Sequence, residues 1–365
     1  MKIKTITCHD VYNHGASLQA YALQTYLESL GHDVEIIDYK PPYLSGHYNL
    51  WAVNNPAYDK PFLKQAYLLA KLPGRLCSLR RKKAFDMFTQ RYLKLTRRYN
   101  CYEELESDIP EADVYIAGSD QIWNTLFQNG RDKAFYLAFA PKDKLKISYA
   151  ASFSTPDVQD EYRPFVSRML KGLERISLRE RSSLSLAAEL GRDDAVAVCD
   201  PVFLLKRTQW ESLITNTPIY DSDYLLIYDT ENSDKIRKMA EALKRVHKMP
   251  IYDVSAFRHR YADKHFNNVG PLDFVRLIRN ANHVISNSLH ATVFSIIFEK
   301  DFYVTDRSED INIRMQSLLE AYGLAERFIT SEPPHLPSEP IDYKNVQSLL
   351  NEDISFSKNY LSFQA

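Results

Sequence analysis

The N-terminus constrains the fold most. Ile3 to Cys8 reads as a strand, Asn13-His14-Gly15 as a polar loop, Ser17 to Leu30 as a helix stopped at Gly31, and Val34 to Tyr39 as a second strand. Within the helix Leu18, Ala22, Leu23, Tyr26, Leu27 and Leu30 recur at spacings of three and four, an apolar stripe facing a core. Ser17 is placed to cap its start and Gly31 to end it. Strand, loop, helix and strand in this order form the βαβ unit that opens a parallel α/β sheet.

The same rhythm returns along the chain. Asp113 to Gly118, Lys146 to Ser152, Arg175 to Leu178 and Ala195 to Cys199 are short β-rich runs, with a helical pattern at Glu180 to Leu190. After Asp200-Pro201, where proline disfavours a continuing central strand, a helical piece around Gln209 to Ile214 leads into a second alternation. Its strands are expected at Tyr224 to Tyr228, Ile251 to Val254, His283 to Ser286 and Phe302 to Val304. Its helices are expected at Asn232 to His247, Leu272 to Ala281, Ala291 to Phe298 and Ile311 to Tyr322. The expectation is an α/β protein of two Rossmann-like, doubly wound domains facing a cleft. The first spans 1–205, carries a basic helical insertion at about 60–98 and forms the acceptor side. The second spans 206–342 and forms the donor or anion side, and 343–365 is a C-terminal helix, expected near Tyr343 to Leu350, and tail.

Composition narrows the function classes. The 365 residues carry 46 Lys plus Arg against 47 Asp plus Glu, a net charge of −1 that excludes a globally basic nucleic-acid wrapper and an acidic solvating tail. Hydrophobic residues at 45% and charged residues at 25% are an ordinary globular mix, which excludes intrinsic disorder. Met1 to Cys8 builds no apolar run of a secretory signal, and no stretch approaches the ~20 residues of a bilayer span, so a cytoplasmic protein is expected. Cysteines at 8, 77, 101 and 199 show no CxxC pair and no neighbouring histidine cluster, so reduced thiols and no metal site are expected.

One segment departs from this balance. From Lys60 to Arg98 twelve Lys or Arg meet a single acid, Asp86, a net of +11 that leaves −12 for the remainder. Apolar residues such as Leu69, Leu72, Leu76, Phe85, Met87 and Phe88 lie between the cations in a helical pattern broken at Pro73-Gly74. Such a face is either simply solvated or drawn to anionic lipid headgroups or a polyanionic substrate. Nucleic acid is not expected, since no DNA- or RNA-binding motif accompanies the charge.

Chemistry concentrates at strand ends. Ile285-Ser286-Asn287-Ser288-Leu289-His290-Ala291-Thr292 joins a strand to an apolar helix, a junction that aims unpaired N–H groups and the positive end of the helix dipole into the cleft. An anion, phosphate above all, is the natural guest; the plain alternative is that Ser288 or Asn287 caps the helix and His290 packs under a loop. In the first domain, Gly118-Ser119-Asp120-Gln121-Ile122-Trp123-Asn124 opens a strand into a polar loop closed by an aromatic. That combination suits a sugar held by hydrogen bonds and ring stacking, with Asp120 as a base for a hydroxyl. Arg179, leaving the strand Ile176-Ser177-Leu178, is either a fork for carboxylate or phosphate or half of an ordinary surface pair. Tyr39, Tyr43, Tyr48, Tyr58, Trp51 and Trp123 suit carbohydrate faces or, equally, core packing.

These motifs, taken in order, resemble the polysaccharide pyruvyl transferase family. The resemblance is carried by Asn13-His14-Gly15-Ala16-Ser17-Leu18-Gln19-Ala20-Tyr21-Ala22-Leu23, by Gly118 to Asn124, by Ser177-Leu178-Arg179-Glu180, by Asp200-Pro201 and by Ser288 to Ser295. It implies two Rossmann-like domains in a GT-B-like arrangement. It also implies transfer of the enolpyruvyl carbons of phosphoenolpyruvate onto a sugar as a cyclic pyruvate ketal, in bacterial surface polysaccharide assembly. Arg179, Leu289 and His290 match the donor-binding motifs, joined at the donor by Ser288 and by Arg314 as a second anion clamp. His290 is assigned as general acid and Asp120 as base, with Asn13, His14, Asp120, Gln121, Trp123 and Asn124 on the acceptor side. Phosphoenolpyruvate is a co-substrate, and no cofactor is expected. A lipid-linked acceptor would explain the cations of 60–98 through peripheral contact with an anionic membrane.

The resemblance also implies a second histidine in the loop after Lys146 to Ser152. Ser152, Phe153, Ser154 and Thr155 stand there, and no histidine lies between His47 and His247. A hydroxyl must substitute, or His14 must reach in. Two other readings stay open: a nucleotide-sugar glycosyltransferase of the same architecture, and a non-catalytic sugar- or anion-binding protein.

Overall fold

The computed structural model describes residues 1–45, 60, 62–214, 223–308, 312–331, 334, 336–337 and 339–363. Its first half runs β1 (Lys2–Ile6), α1 (His14–Ser29), β2 (Asp33–Tyr39), α2 (Pro42–Ser45), α3 (Leu63–Tyr92), β3 (Leu95–Tyr99) and α4 (Tyr102–Ser107). It continues with β4 (Val114–Ala117), β5 (Leu145–Ser148), α5 (Arg163–Leu170), β6 (Ser177–Leu178), α6 (Leu184–Glu189) and β7 (Val196–Ala197). The strands form a parallel sheet in the order β3-β2-β1-β4-β5, and single bridges from Ile147 to Arg175 and from Ala151 to Leu178 carry it on into the β6-β7 ladder.

The second half holds α7 (Arg207–Ile214), β8 (Leu225–Tyr228), α8 (Asp234–His247), β9 (Ile251–Asp253), β10 (Lys264–His265), α9 (Pro271–Asn280) and β11 (His283–Ser286). Then follow α10 (Leu289–Ile297), β12 (Asp301–Thr305), α11 (Ile313–Ala321), β13 (Phe328–Ile329) and α12 (Tyr343–Tyr360). Its parallel sheet is ordered β10-β9-β8-β11-β12-β13. Among the described residues no helix is long and apolar enough to cross a membrane.

Several expectations shift in detail. α1 begins at His14, and its cap is Asn13, whose side chain accepts from Ala16 N at 3.2 Å; Ser17 instead lies inside the first turn, where its N–H meets Asn13 O. Gly31 ends the helix with φ +84, a left-handed conformation in which glycine carries no Cβ penalty. α3 runs on through Pro73-Gly74, and the basic stretch ends in the edge strand β3, not in more helix. Tyr99 of β3 turns into the core while the consecutive Arg97 and Arg98 are both exposed, charged residues at a sheet edge. The pattern expected as one helix over Glu180 to Leu190 is a 3-10 turn at Arg181–Ser183 followed by α6.

α12 extends ten residues beyond Leu350 and ties the halves together. Its start is fixed on the second half by a hydrogen bond from Tyr343 Oη to Lys300 O. Its end lies on the first, where Ser357 Oγ accepts from Cys199 N at 2.8 Å and Tyr360 Oη donates to Ser148 O at 3.0 Å. Leu350 is buried in a core shared by both sheets, with Ile3 and Leu23 on one side and Phe294 on the other. Leu350→Ala is expected to cost about 2–5 kcal/mol, lowering the urea midpoint in a single cooperative transition. Two separated transitions in the wild-type protein would contradict a shared core.

Candidate active site

Strands of a parallel sheet end at the same edge, so the residues following β4, β6 and β7 gather at one rim of the first half. The β4 exit is held by a buried network: Thr7 Oγ1 donates to Ser119 O at 2.7 Å, Gln19 Nε2 donates to Thr7 Oγ1 at 3.0 Å, and Gln19 Oε1 accepts from Ser119 N at 3.2 Å. Asp120 then takes a left-handed conformation, φ 75, which turns its carboxylate toward the β6 exit. There Arg179 is enclosed by acids. Nε meets Glu180 Oε1 at 3.0 Å, Nη1 meets Asp200 Oδ2 at 3.1 Å, and both terminal nitrogens reach Asp120 Oδ1 at 3.4 Å.

The second half supplies the opposing side chains, His290 and Arg314. His290 opens α10, whose N-terminus has no side-chain cap, and its Nε2 lies 3.4 Å from Asp200 Oδ2. A Cβ placed on Gly15 would lie 2.0 Å from His290 Nδ1, so the ring rests directly on the start of α1 across the seam. Arg314, in the first turn of α11, is buried, makes no ion pair among the described residues, and has Nε without a hydrogen-bond partner. Arg179, Asp200, Leu289 and Arg314 enclose a cavity of about 30 Å³.

Electrostatics follow from this geometry. Burial would lower the Arg179 guanidinium, but Glu180, Asp120 and Asp200 outweigh it and hold it above its usual range. Burial would raise Asp200, yet His290, Arg179 and the Val202 N–H hold it at about 2, and Arg179, His290 and Arg314 likewise keep Asp120 below the ordinary carboxyl range. Arg314 is pushed down to about 10 by burial and by the like charge of Arg179. An arginine so placed favours an added anion. Among the described residues no group of three or more His, Cys, Asp or Glu is disposed to hold a metal ion.

A family model of polysaccharide pyruvyl transferases matches residues 13–309, which contain Gly15, Asp120, Arg179, Asp200 and His290. The chain belongs to the polysaccharide pyruvyl transferase family. Among curated proteins none matches. A protein assigned as a UDP-N-acetylglucosamine 2-epimerase from Listeria monocytogenes aligns over 98% of this chain and 89% of that one, at 11% identity and TM-score 0.50. The enzyme of that name from Rickettsia bellii aligns over 99% and 96%, at 11% identity and TM-score 0.48. The Listeria likeness speaks to the fold alone: two Rossmann-like halves across a cleft, the GT-B-like arrangement.

Within this pyruvyl transferase fold the acceptor-side expectations divide. Trp123 is a correction: it is fully buried, donates Nε1–H to Phe135 O at 2.9 Å and stacks on Tyr136, leaving no ring face for a sugar. Asn124 is likewise buried, its Oδ1 accepting from Leu126 N. His14 is also corrected: its ring is sealed in the seam, stacked on Phe274 at 4.6 Å and beside Phe85 at 4.9 Å, and burial and Arg81 hold it well below its usual range. It therefore does not replace the missing histidine. Ser152 and Ser154 are buried with their hydroxyls 2.9 Å apart. Asn13 is exposed as the α1 cap, and Gln121 is half-buried beside Asp120. Ser288 stands at the α10 cap position with its N–H on Ser286 Oγ, and Leu289 lines the cavity. Tyr39 and Tyr43 both donate to Asp132 Oδ2, whereas Tyr48, Trp51 and Tyr58 lie outside the described residues.

Sequence reasoning missed Glu180, Asp200 and Gly15 as site residues. Asp200 carried a usable signal, an acid at a strand exit stopped by Pro201. A carboxyl depressed in the folded state contributes stability above its unfolded value and loses it as pH falls through the folded one. Asp200→Asn is therefore expected to lower unfolding free energy at pH 7 by on the order of 2 kcal/mol. Urea titrations should show the difference from wild type shrinking as pH falls from about 4 toward 2. A difference independent of pH would contradict the ion-paired assignment.

Proposed function

We propose that the protein transfers the enolpyruvyl group of phosphoenolpyruvate onto two hydroxyls of one sugar as a cyclic ketal. The acceptor in this reading is a lipid-linked sugar of a surface polysaccharide, met at the cytoplasmic face of the membrane. One observation carries it: Arg179 from the first half and His290 and Arg314 from the second converge on one buried spot, and Arg314 makes no ion pair among the described residues and has Nε without a hydrogen-bond partner. A small ligand with a carboxylate and a phosphate needs such paired guanidiniums beside an uncapped helix N-terminus.

The chemistry assigns each group a task. Donor anions take the edge of Arg179 that Asp120 holds at 3.4 Å, the loosest of its acid contacts, and pair with Arg314. His290, oriented by Asp200, gives a proton to the methylene, which becomes the methyl group. A sugar oxygen bonds to the central carbon while Asp120, freed from Arg179, takes its proton. The carbon–oxygen bond to phosphate then breaks, the electron pair leaving with phosphate. The second hydroxyl oxygen closes the ring and releases its proton, so donor and diol become ketal and inorganic phosphate.

Phosphate release from phosphoenolpyruvate is expected only when a sugar acceptor is present. Arg179→Lys should lower kcat/KM by roughly 100-fold or more, the scale of a lost preorganised charge contact. Arg314→Met should mainly raise KM for phosphoenolpyruvate, with far-UV circular dichroism unchanged. Nucleoside diphosphate release from a nucleotide sugar, or turnover that survives both Arg179→Ala and His290→Ala, would overturn the reading.

A further inference from the structure

The segment from Lys60 to Arg98, which holds α3 and runs into β3, concentrates the charge asymmetry of the chain, yet much of that charge is neutralised locally. Lys82 pairs with Asp86, Lys94 with Glu28, Arg97 with Asp108 and Arg98 with Asp38, while Arg81 is buried against the carbonyls of Tyr12 and Asn267. Arg80, Lys83 and Arg91 are different: all are exposed and none takes an ion pair among the described residues.

The same helix face is apolar. Phe62, at the start of α3, is 84% exposed, Leu69 70%, Leu76 49% and Met87 58%. Phe62, Leu69, Leu76 and Lys83 follow one another at intervals of seven, two helical turns, and Arg80, Met87 and Arg91 continue the line. The opposite face buries Arg81, Phe85 and Phe88. A row of large apolar side chains kept in water marks a surface that something covers.

We infer that this outward face of α3 is a docking surface for anionic membrane lipid, with Phe62, Leu69, Leu76 and Met87 entering the headgroup boundary and the three unpaired cations Arg80, Lys83 and Arg91 meeting lipid phosphates. Charge complementarity selects this occupant, because two copies of the face brought together would oppose like charges. The inner face explains what docking accomplishes. Phe85 packs on His14, next to Gly15 and hence His290, so a helix seated on the membrane holds the cleft beside that surface. This last step rests on the pyruvyl-transfer reading and names where its lipid-linked acceptor is met.

Flotation of the full chain with vesicles tests the inference without any donor, so its outcome is independent of catalysis. The protein is expected to float with phosphatidylcholine vesicles containing phosphatidylglycerol and not with phosphatidylcholine alone, and to be released by high salt. Each removed cation should weaken binding about fivefold, and the combined Arg80→Glu, Lys83→Glu and Arg91→Glu variant by roughly 100-fold or more. Leu69→Ser with Leu76→Ser should also weaken flotation, while both variants keep wild-type circular dichroism and turnover on a soluble sugar. Equal flotation with neutral vesicles, no flotation, or full binding by the charge variant would overturn the inference. So would a dimer in sedimentation velocity that the Leu69→Ser, Leu76→Ser variant abolishes.

Discussion

A buried guanidinium governs this structure. Arg179 is only 5% exposed at its side chain and meets three carboxylates, Asp120, Glu180 and Asp200. A lone buried cation is costly, but three acids overcompensate it and leave negative charge in turn. From the second half Arg314 supplies a further guanidinium, and His290 Nε2 lies 3.4 Å from Asp200 Oδ2. The two halves therefore meet at this charged cluster.

Packing at the seam gives that electrostatic arrangement its geometry. His290 sits against Gly15, where any Cβ would collide with its ring, and His14 fills an aromatic pocket made by Phe85 and Phe274. α1 is thus both the crossover helix of the first βαβ unit and the surface on which a residue of the second half is oriented. Gln19, one turn further along, fixes the loop that aims Asp120. A single helix connects sequence motif, domain seam and site, and α12 joins the same two halves, with its Asp353 lining the cavity beside Arg179 and Arg314.

Much of this was legible because buried parallel strands are short apolar runs whose polar residues stand at their exits. Asp120, Arg179 and His290 each lie at such an exit or just after it, and residue type alone marked them as chemically able. β3 escaped notice because the exposed Arg97 and Arg98 make an edge strand look like more of the basic helix. α12 was read short because its second half, from Asn351 to Tyr360, is polar and turns in chiefly through Ser357. Trp123 was misjudged for a related reason: an aromatic beside a polar loop reads the same whether it faces a sugar or the core, and only tertiary structure distinguishes them. Glu180 carries no mark of its own in the sequence and Asp200 only its place at a strand exit before Pro201, because a carboxylate takes its role from the guanidinium that folding brings to it.

The central claim is that Arg179, Arg314 and His290 jointly bind the anionic donor. A crystal structure of the protein with phosphoenolpyruvate tests it most directly. The account predicts ligand carboxylate and phosphate oxygens at hydrogen-bond distance, about 3 Å, from both guanidiniums, with the methylene carbon beside His290 and Asp120 withdrawn from Arg179. Ligand bound elsewhere, or bound with Arg314 still unpartnered, would contradict it.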